Sequence, residues 1–140
     1  MNNIIIRVFK NTGESLYNKT VRLEPLAVFI SKKQFVFVSL HSEYGSEGGI
    51  TVFDKKGVEV NDIDTGNWAW QPTETKDGNA VAVLSGNNAY IFDKNAAHVK
   101  TIFHLKCFNT GAGADHFLFR GDKKSLNELV LVKVTESVNH

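Results

Sequence analysis

The sequence has very little cysteine and no excess of either charge. Cys107 is the only cysteine among 140 residues, which excludes an internal disulfide framework and a cysteine-rich zinc module. Sixteen Lys and Arg residues face fifteen Asp and Glu residues, so the formal net charge is +1. This balance argues against a generally basic nucleic-acid binder. With 42% hydrophobic residues, the chain has enough apolar surface to fold, so a disordered protein is excluded as well.

Long hydrophobic runs are also missing. The longest, residues 26–30 and 35–38, fall far short of the ~20 residues that a membrane-spanning helix needs. The apolar run at residues 4–6 has no basic region before it and no small-residue cleavage site after it, unlike a secretory signal. We therefore expect a cytoplasmic protein without a membrane partner.

What the sequence does contain is a series of short apolar segments. They are rich in Val, Ile, Phe, Tyr and Thr, and turn residues interrupt them roughly every 8–12 positions. Only residues 123–131 carry a helix-capping pattern, which predicts one short helical turn at most. The pattern predicts a single all-β domain over residues 1–140, an antiparallel meander of about twelve strands in a propeller-like, barrel or sandwich arrangement. The predicted strands are 4–9, 17–23, 26–31, 35–40, 50–53, 58–63, 68–71, 80–84, 89–92, 99–108, 117–119 and 129–134.

One segment type recurs along the chain. Three apolar strands end at Phe9, Phe53 and Phe92, 44 and 39 residues apart, and each is followed by a Lys-containing turn. A period near 40 residues with several strands per unit is typical of propeller blades. The repeat resembles the strand–turn–strand hairpin of WD- and kelch-type blades. Propellers have 4–8 blades, and the chain holds about three and a half repeats. The resemblance therefore implies a partial ring, or a ring that a partner helps to close.

The meander also predicts that charge is separated between its two ends. Successive turns of an up-and-down meander lie at alternating ends of the sheet. One end then carries carboxylates, and the other carries lysines together with some acidic residues. The predicted acidic end carries Glu24, Glu43, Glu47, Asp62, Asp64 and Asp115, and the predicted basic end carries Lys10, Lys32, Lys33, Lys55, Lys56, Lys76, Lys94, Lys123 and Lys124.

Two tryptophans flank one alanine. In a strand, Trp68 and Trp70 would share a face because side chains alternate. Two interpretations follow: the indoles pack in a core, or they form an exposed aromatic stripe for a protein or a sugar, since tryptophan is enriched at interface hot spots.

The sequence does not predict a metal, a cofactor or an enzyme. His104 and Cys107 are three positions apart, so a strand would point them to opposite faces, which argues against both a zinc site and a Cys–His nucleophile. Residues 61–66 resemble a calcium loop only faintly, because the twelfth position from Asp62 is Thr73 and not a glutamate.

Two functions remain. In overall character the small, motif-free sequence is similar to bacterial immunity proteins, which implies a non-catalytic module that binds a cognate toxin, such as a nuclease, and blocks its active site. The partner would then be a basic toxin domain, attracted by the acidic end. The alternative is a small-ligand or carbohydrate-binding β domain that uses the two indoles. The predicted partner-binding residues are Glu43, Tyr44, Glu47, Asp62, Asp64, Trp68, Trp70 and Asp115.

Overall fold

The computed structural model describes residues 4–21, 23–42, 47–105, 111–120 and 129–133. These residues form thirteen strands and no helix, and every strand pair is antiparallel, which confirms the predicted all-β meander. The strands are β1 (Ile4–Phe9), β2 (Ser15–Val21), β3 (Glu24–Ile30), β4 (Val36–His41), β5 (Gly48–Phe53), β6 (Glu59–Asp64), β7 (Thr73–Glu74), β8 (Ala80–Ser85), β9 (Asn88–Asp93), β10 (His98–Ile102), β11 (Gly111–Ala112), β12 (His116–Arg120) and β13 (Leu129–Lys133).

The strands divide into four sheets in chain order. The first sheet is β1-β2, the second is β3-β4-β5-β6, the third is β7-β8-β9-β10, and the fourth is β11-β12-β13. Neighbours in each sheet are neighbours in the sequence, and no described sheet closes on itself. This arrangement agrees with a sandwich-like meander. The relation to propeller-type repeats stays a prediction.

Three apolar cores join the sheets into a stack. The core between the first and second sheets holds Ile6, Val21, Val36, Val38, Leu40 and Phe53. The core between the second and third sheets includes Phe37, Ile50, Val52, Val83 and Phe92. The core between the third and fourth sheets includes Ala82, Leu84, Ile91, Phe117 and Phe119. Burying each large side chain stabilises the fold by ~1.5–3 kcal/mol before chain entropy is subtracted.

The two middle sheets are apolar on both faces because each lies between two cores. In β4, Val36 and Val38 face the first sheet while Phe37 faces the third. In β8, Ala82 faces the fourth sheet and Val83 the second. Side chains of a strand alternate between the two faces of its sheet. A continuous apolar run in the sequence is thus a strand that packs on both sides.

Five hairpins at one end of the stack share one turn geometry. In each turn, the N–H of the first residue donates to the carbonyl of the residue four or five positions later in the chain. The carbonyl of that first residue accepts from the N–H of the residue three positions later. The residue that closes the turn has a positive φ, which glycine adopts most easily. We call this the turn end. The first residues are Lys10, Ser31, Asp54, Thr75 and Asp93, and the closing residues are Gly13, Gln34, Gly57, Gly78 and Ala96.

Some predicted strands differ from the observed ones. Residues 68–71 are not a strand; they belong to the connection between β6 and β7, where Ala69 makes a single bridge to Ser85. The segment predicted at 99–108 ends as a strand at Ile102, and residues 106–110 lie outside the described residues. Strands β7 and β11 were not predicted. None of the described segments forms a helix with the length and hydropathy to cross a bilayer.

Candidate functional site

The candidate site lies opposite the turn end, where longer connections leave the sheets. We call this the loop end. Its described connections are residue 23, residues 42 and 47, residues 65–72, residues 86–87 and residues 103–105. Residues 65–72, hereafter the Trp loop, link the second sheet to the third and carry both tryptophans.

The two indoles and one histidine form an aromatic cluster on this end. The His41 ring centroid lies 4.8 Å from that of Trp68, which in turn lies 6.4 Å from that of Trp70. Trp68 and Trp70 keep 37% and 36% of their surface exposed. The structure thus decides between the two interpretations of the pair: the indoles lie at the surface and not in a core.

Backbone anchoring explains why both indoles face the same way. Ala69, between them, is fully buried and donates its N–H to the Leu40 carbonyl at 3.3 Å. Trp70 donates its N–H to the Leu84 carbonyl at 2.8 Å and accepts from the Ser39 hydroxyl at 2.6 Å. The Trp loop is therefore fixed to both middle sheets, with the alanine inside and the tryptophans outside.

Asn67 fixes the loop just before the first tryptophan. Its backbone carbonyl accepts from the Thr65 hydroxyl at 2.7 Å and from the Ser85 hydroxyl at 2.9 Å. A Cβ placed on Gly48 would lie 1.8 Å from that carbonyl oxygen, so the chain can pass here only over a glycine. The start of β5 and the Trp loop therefore touch backbone to backbone.

Four carboxylates belong to the second sheet, which also holds His41, or directly precede one of its strands. Glu24 lies 3.8 Å from the His41 ring nitrogen, and Glu47 is exposed just before β5. Asp64 is exposed at the last position of β6 and accepts from the Gly66 N–H at 3.0 Å. Asp62, exposed two residues earlier, is paired with Thr51 of β5 and accepts from its hydroxyl at 3.0 Å. Within the described residues of the loop-end connections there is no lysine and no arginine.

Asp115 does not belong to this group. Its turn joins β11 to β12 and lies beside the turn from β7 to β8, because Lys76 donates its N–H to the Gly113 carbonyl at 2.9 Å and Asp77 donates to the Ala114 carbonyl at 2.8 Å. The placement of Asp115 at the acidic end was wrong, since the unpredicted β11 reverses the chain once more. Glu43 and Tyr44 lie outside the described residues.

Lysines and carboxylates alternate at the turn end. The residues of its described turns carry seven lysines and five acids, a formal charge of +2. The pKa of Asp54 is lowered because it accepts the Val58 N–H, and the pKa of Asp77 is lowered because it accepts the Asn79 N–H. The lysines are Lys10, Lys32, Lys33, Lys55, Lys56, Lys76 and Lys94, and the acids are Glu14, Asp54, Asp77, Asp93 and Asp115; the predicted members Lys123 and Lys124 lie outside the described residues.

His41 is the residue of the site that sequence reasoning missed. It ends β4, contacts Trp68 with its ring tilted by 53° and faces Glu24, so it connects the indoles to a carboxylate. Its position at the end of a predicted strand, next to the acidic loop, was the available signal. In the described part of the chain, no three His, Cys, Asp or Glu side chains group as metal ligands do, and Cys107 lies outside that part.

Comparison with known proteins adds no family to this description. No protein-family model matches the sequence, and no curated protein matches it. The protein is therefore characterised by its fold and its site: it is an antiparallel all-β stack whose loop end combines exposed indoles with carboxylates.

Proposed function

We propose that this protein is a non-catalytic protein-binding module, and that its loop end docks on a basic partner in the manner of a bacterial immunity protein on its toxin. The toxin would be a domain with a cationic active site, such as a nuclease, and the module would cover that site. The proposal includes a cytoplasmic location.

The observation that carries the proposal is the composition of the loop end. Trp68 and Trp70 are exposed there, on a connection anchored to two sheets, and the carboxylates Glu24, Glu47 and Asp64 lie at the same end of the second sheet. Aromatic anchors with a polar rim are a common arrangement at protein interfaces. A rigid aromatic anchor also loses little conformational entropy on binding, because the Trp loop is already fixed.

Carboxylates and indoles would act at different stages of binding. The exposed carboxylates attract a cationic surface over a screening length of about 8 Å at physiological ionic strength and so raise the association rate. The indoles act after contact, because burying them in a pocket of the partner slows dissociation. The partner's active site is then covered, with no chemical step on this chain.

A carbohydrate or another small ligand is the second candidate, favoured by the same exposed indoles. The planes of Trp68 and Trp70 are inclined at 54°, and the His41 ring is inclined at 53° to Trp68. The three rings therefore do not form one flat platform on which a sugar ring could stack. This geometry suits a protein partner better, because protruding side chains can fill the angles between the rings.

The test begins with capture from a host extract. Tagged wild-type protein is compared with W68A/W70A, with the acid-end variant E47K/D62N/D64N and with the lysine-end control K33E/K56E. The two charge variants change the net charge by four units each, in opposite directions. We expect a basic protein that mass spectrometry finds with the wild type and with K33E/K56E, but not with the other two variants.

The second step tests inhibition. The captured protein is expressed in a bacterial host with and without this chain, and growth is measured. Rescue by the wild type and by K33E/K56E, but not by W68A/W70A, supports the immunity function. A partner that binds all four proteins equally would contradict the loop-end site, and a captured protein that is harmless when expressed alone would contradict the toxin.

A further inference from the structure

The first sheet is incomplete when it is compared with the two middle sheets. Strands β1, β5 and β9 are equivalent, because each ends in Phe9, Phe53 or Phe92 and leads into a turn of the same hydrogen-bond pattern. Strand β5 pairs with β4 on one side and β6 on the other, and β9 pairs with β8 and β10. In the described part of the chain, β1 pairs with β2 alone. Among the described strands, the edge of β1 that corresponds to the β4 side of β5 therefore has no partner strand.

An apolar surface is left uncovered next to this edge. Val28 pairs with Val38 and Ile30 pairs with Val36, so all four side chains lie on one face of the second sheet. The first sheet covers Val36 and Val38, which are 2% and 0% exposed. Val28 and Ile30, on the neighbouring edge strand β3, are 47% and 60% exposed. We call Val28 and Ile30 the shelf; it lies where a strand added to β1 would pack.

A cavity marks the turn-end side of the same place. It has a volume of about 440 Å³, and its wall includes Phe9 from β1 and Ile30 and Val36 from the second sheet. Two lysines, Lys10 and Lys55, line it as well. Because Lys10 is paired with Glu14 at 3.3 Å, the groove between the β1 edge and the shelf is apolar along its floor and carries Lys55 beside this ion pair at the turn end.

The occupant of the groove is restricted by the rest of the molecule. The two longest segments outside the described residues, 121–128 and 134–140, both leave the fourth sheet at β12 or β13, and the second and third sheets lie between that sheet and β1. If two copies paired edge to edge through β1, the two β1 strands would have the usual strand spacing of about 4.8 Å. The β4 strands that pack against them would then lie about as close to each other. Strand β3 of each copy would then have no room. A single extended segment of another protein fits both restrictions.

We propose that the β1 edge and the shelf bind an extended segment of a partner protein, which adds to the first sheet as a strand antiparallel to β1. Every second side chain of the segment is apolar and packs on Val28 and Ile30. Because β1 runs towards the turn end, the segment begins there, and an acidic residue near its start faces Lys55. Strand addition of this kind takes its affinity from main-chain hydrogen bonds and its specificity from alternate side chains. The site is separate from the loop end and does not depend on the function proposed there.

The test uses a peptide taken from this chain itself. Residues 35–42 contain β4, which pairs with β5 as the proposed segment would pair with β1. The probe is a fluorescent peptide of residues 35–42 with two added N-terminal glutamates. A control peptide carries proline in place of the central valine, because proline cannot donate to a sheet ladder. Binding is measured by anisotropy, and protection of the β1 amides by hydrogen exchange.

We expect wild-type protein to bind the probe with a Kd of roughly 1–100 μM, and the proline peptide at least tenfold more weakly. The shelf variants V28E and I30E should bind at least tenfold more weakly, because the added carboxylate would be buried. The matched variant V99E, on β10 and 48% exposed in the wild type, should bind within twofold of wild type. The uncharged variant V28T/I30T should also lose affinity while unfolding at the wild-type temperature.

Four results would overturn the proposal. The first is no binding of the probe at 1 mM, and the second is equal binding by wild type and V28T/I30T. The third is protection confined to amides other than those of β1. The fourth is evidence that the shelf is occupied without a partner protein. A wild-type dimer that I30E dissociates would show that a second copy of the chain occupies it. Probe binding that rises at least tenfold when residues 134–140 are removed would show that those residues occupy it.

Discussion

Replacing Gly48 by alanine should move the Trp loop and destabilise the fold together. The added Cβ would lie 1.8 Å from the Asn67 carbonyl oxygen and 2.8 Å from the Trp68 Cα, whereas such contacts are essentially never below 3.0 Å. The loop must therefore retreat from the Cβ by at least 1.2 Å, the difference between 3.0 Å and 1.8 Å. Gly48 does not have a positive φ, so the effect is one of space and not of backbone strain.

The magnitude follows from two contributions. Forcing a methyl group into a well-packed place destabilises a protein by ~1–3 kcal/mol. Withdrawal of the Asn67 carbonyl also weakens its bonds from the Thr65 and Ser85 hydroxyls, each worth ~1 kcal/mol. We expect G48A to lower the free energy of unfolding by ~2–4 kcal/mol in all. For a chain of this size that corresponds to a melting temperature lower by ~6–12 °C.

The assay combines thermal unfolding with tryptophan emission, and both tryptophans of the sequence lie on the displaced loop. G48A should show a red-shifted emission at 25 °C as well as the lower melting temperature. G111A is the matched control, because its Cβ would meet Leu118 at an ordinary 3.6 Å, and its stability should stay within ~0.5 kcal/mol of wild type. If G48A melts and emits like G111A, the close approach does not hold the Trp loop.

Three further predictions concern the rest of the fold. Gln34 is exposed at a positive φ, so its replacement by glycine should raise the free energy of unfolding, measured in urea, by ~0.5–1 kcal/mol. A96G should raise it by less, because this variant loses a buried methyl group. Equal increases for the two variants would refute this reasoning. F37A should lower the free energy of unfolding by ~3–5 kcal/mol in the same assay, since Phe37 is 1% exposed. A decrease near 1 kcal/mol would contradict the place of Phe37 in the core. Asp54 has a pKa lowered from 3.8 because it accepts the Val58 N–H; its carboxylate therefore stabilises the fold above pH 3.8, and the stability difference between wild type and D54N should close as the pH falls through the folded pKa. A difference that is the same at low and neutral pH would refute that assignment.

Short apolar segments bounded by turn residues were sufficient to predict the all-β meander and most of its hairpins. Strands such as β4 and β8 are continuous apolar runs because they pack on both faces, and turn residues mark their ends. The repeat ending at Phe9, Phe53 and Phe92 identified three of the five equivalent turns. The turns at Ser31 and Thr75 have the same geometry but lack that Phe-containing pattern, so the sequence did not reveal their equivalence.

The charge pattern was predicted less well because it depends on the count of strands. Strand β11 consists of Gly111 and Ala112 alone, two small residues in a glycine-rich stretch without an apolar signal. Its presence moves Asp115 to the turn end. Glu47 and Asp64 precede that point in the chain and lie at the loop end, whereas Asp62 lies within β6, opposite Thr51.

The exposure of the tryptophans could not be predicted from their spacing. Trp68 and Trp70 share a side, as the alternation suggested, but the segment is a connection and not a strand. Burial of Ala69 between two sheets decides that the indoles face outward, and that contact comes from tertiary packing. The contact between the His41 and Trp68 rings depends on the same packing.

The most direct test of the central claim, that the loop end docks on a basic partner, is the association rate of the captured partner as a function of ionic strength. The wild-type rate should fall steeply between about 0.05 M and 0.3 M salt, as expected for electrostatic steering. The variant E47K/D62N/D64N should associate at least tenfold more slowly at low salt and show little dependence on salt, whereas K33E/K56E should associate no more slowly than wild type. If K33E/K56E is slowed and E47K/D62N/D64N keeps the wild-type rate, the partner docks elsewhere and the claim is wrong.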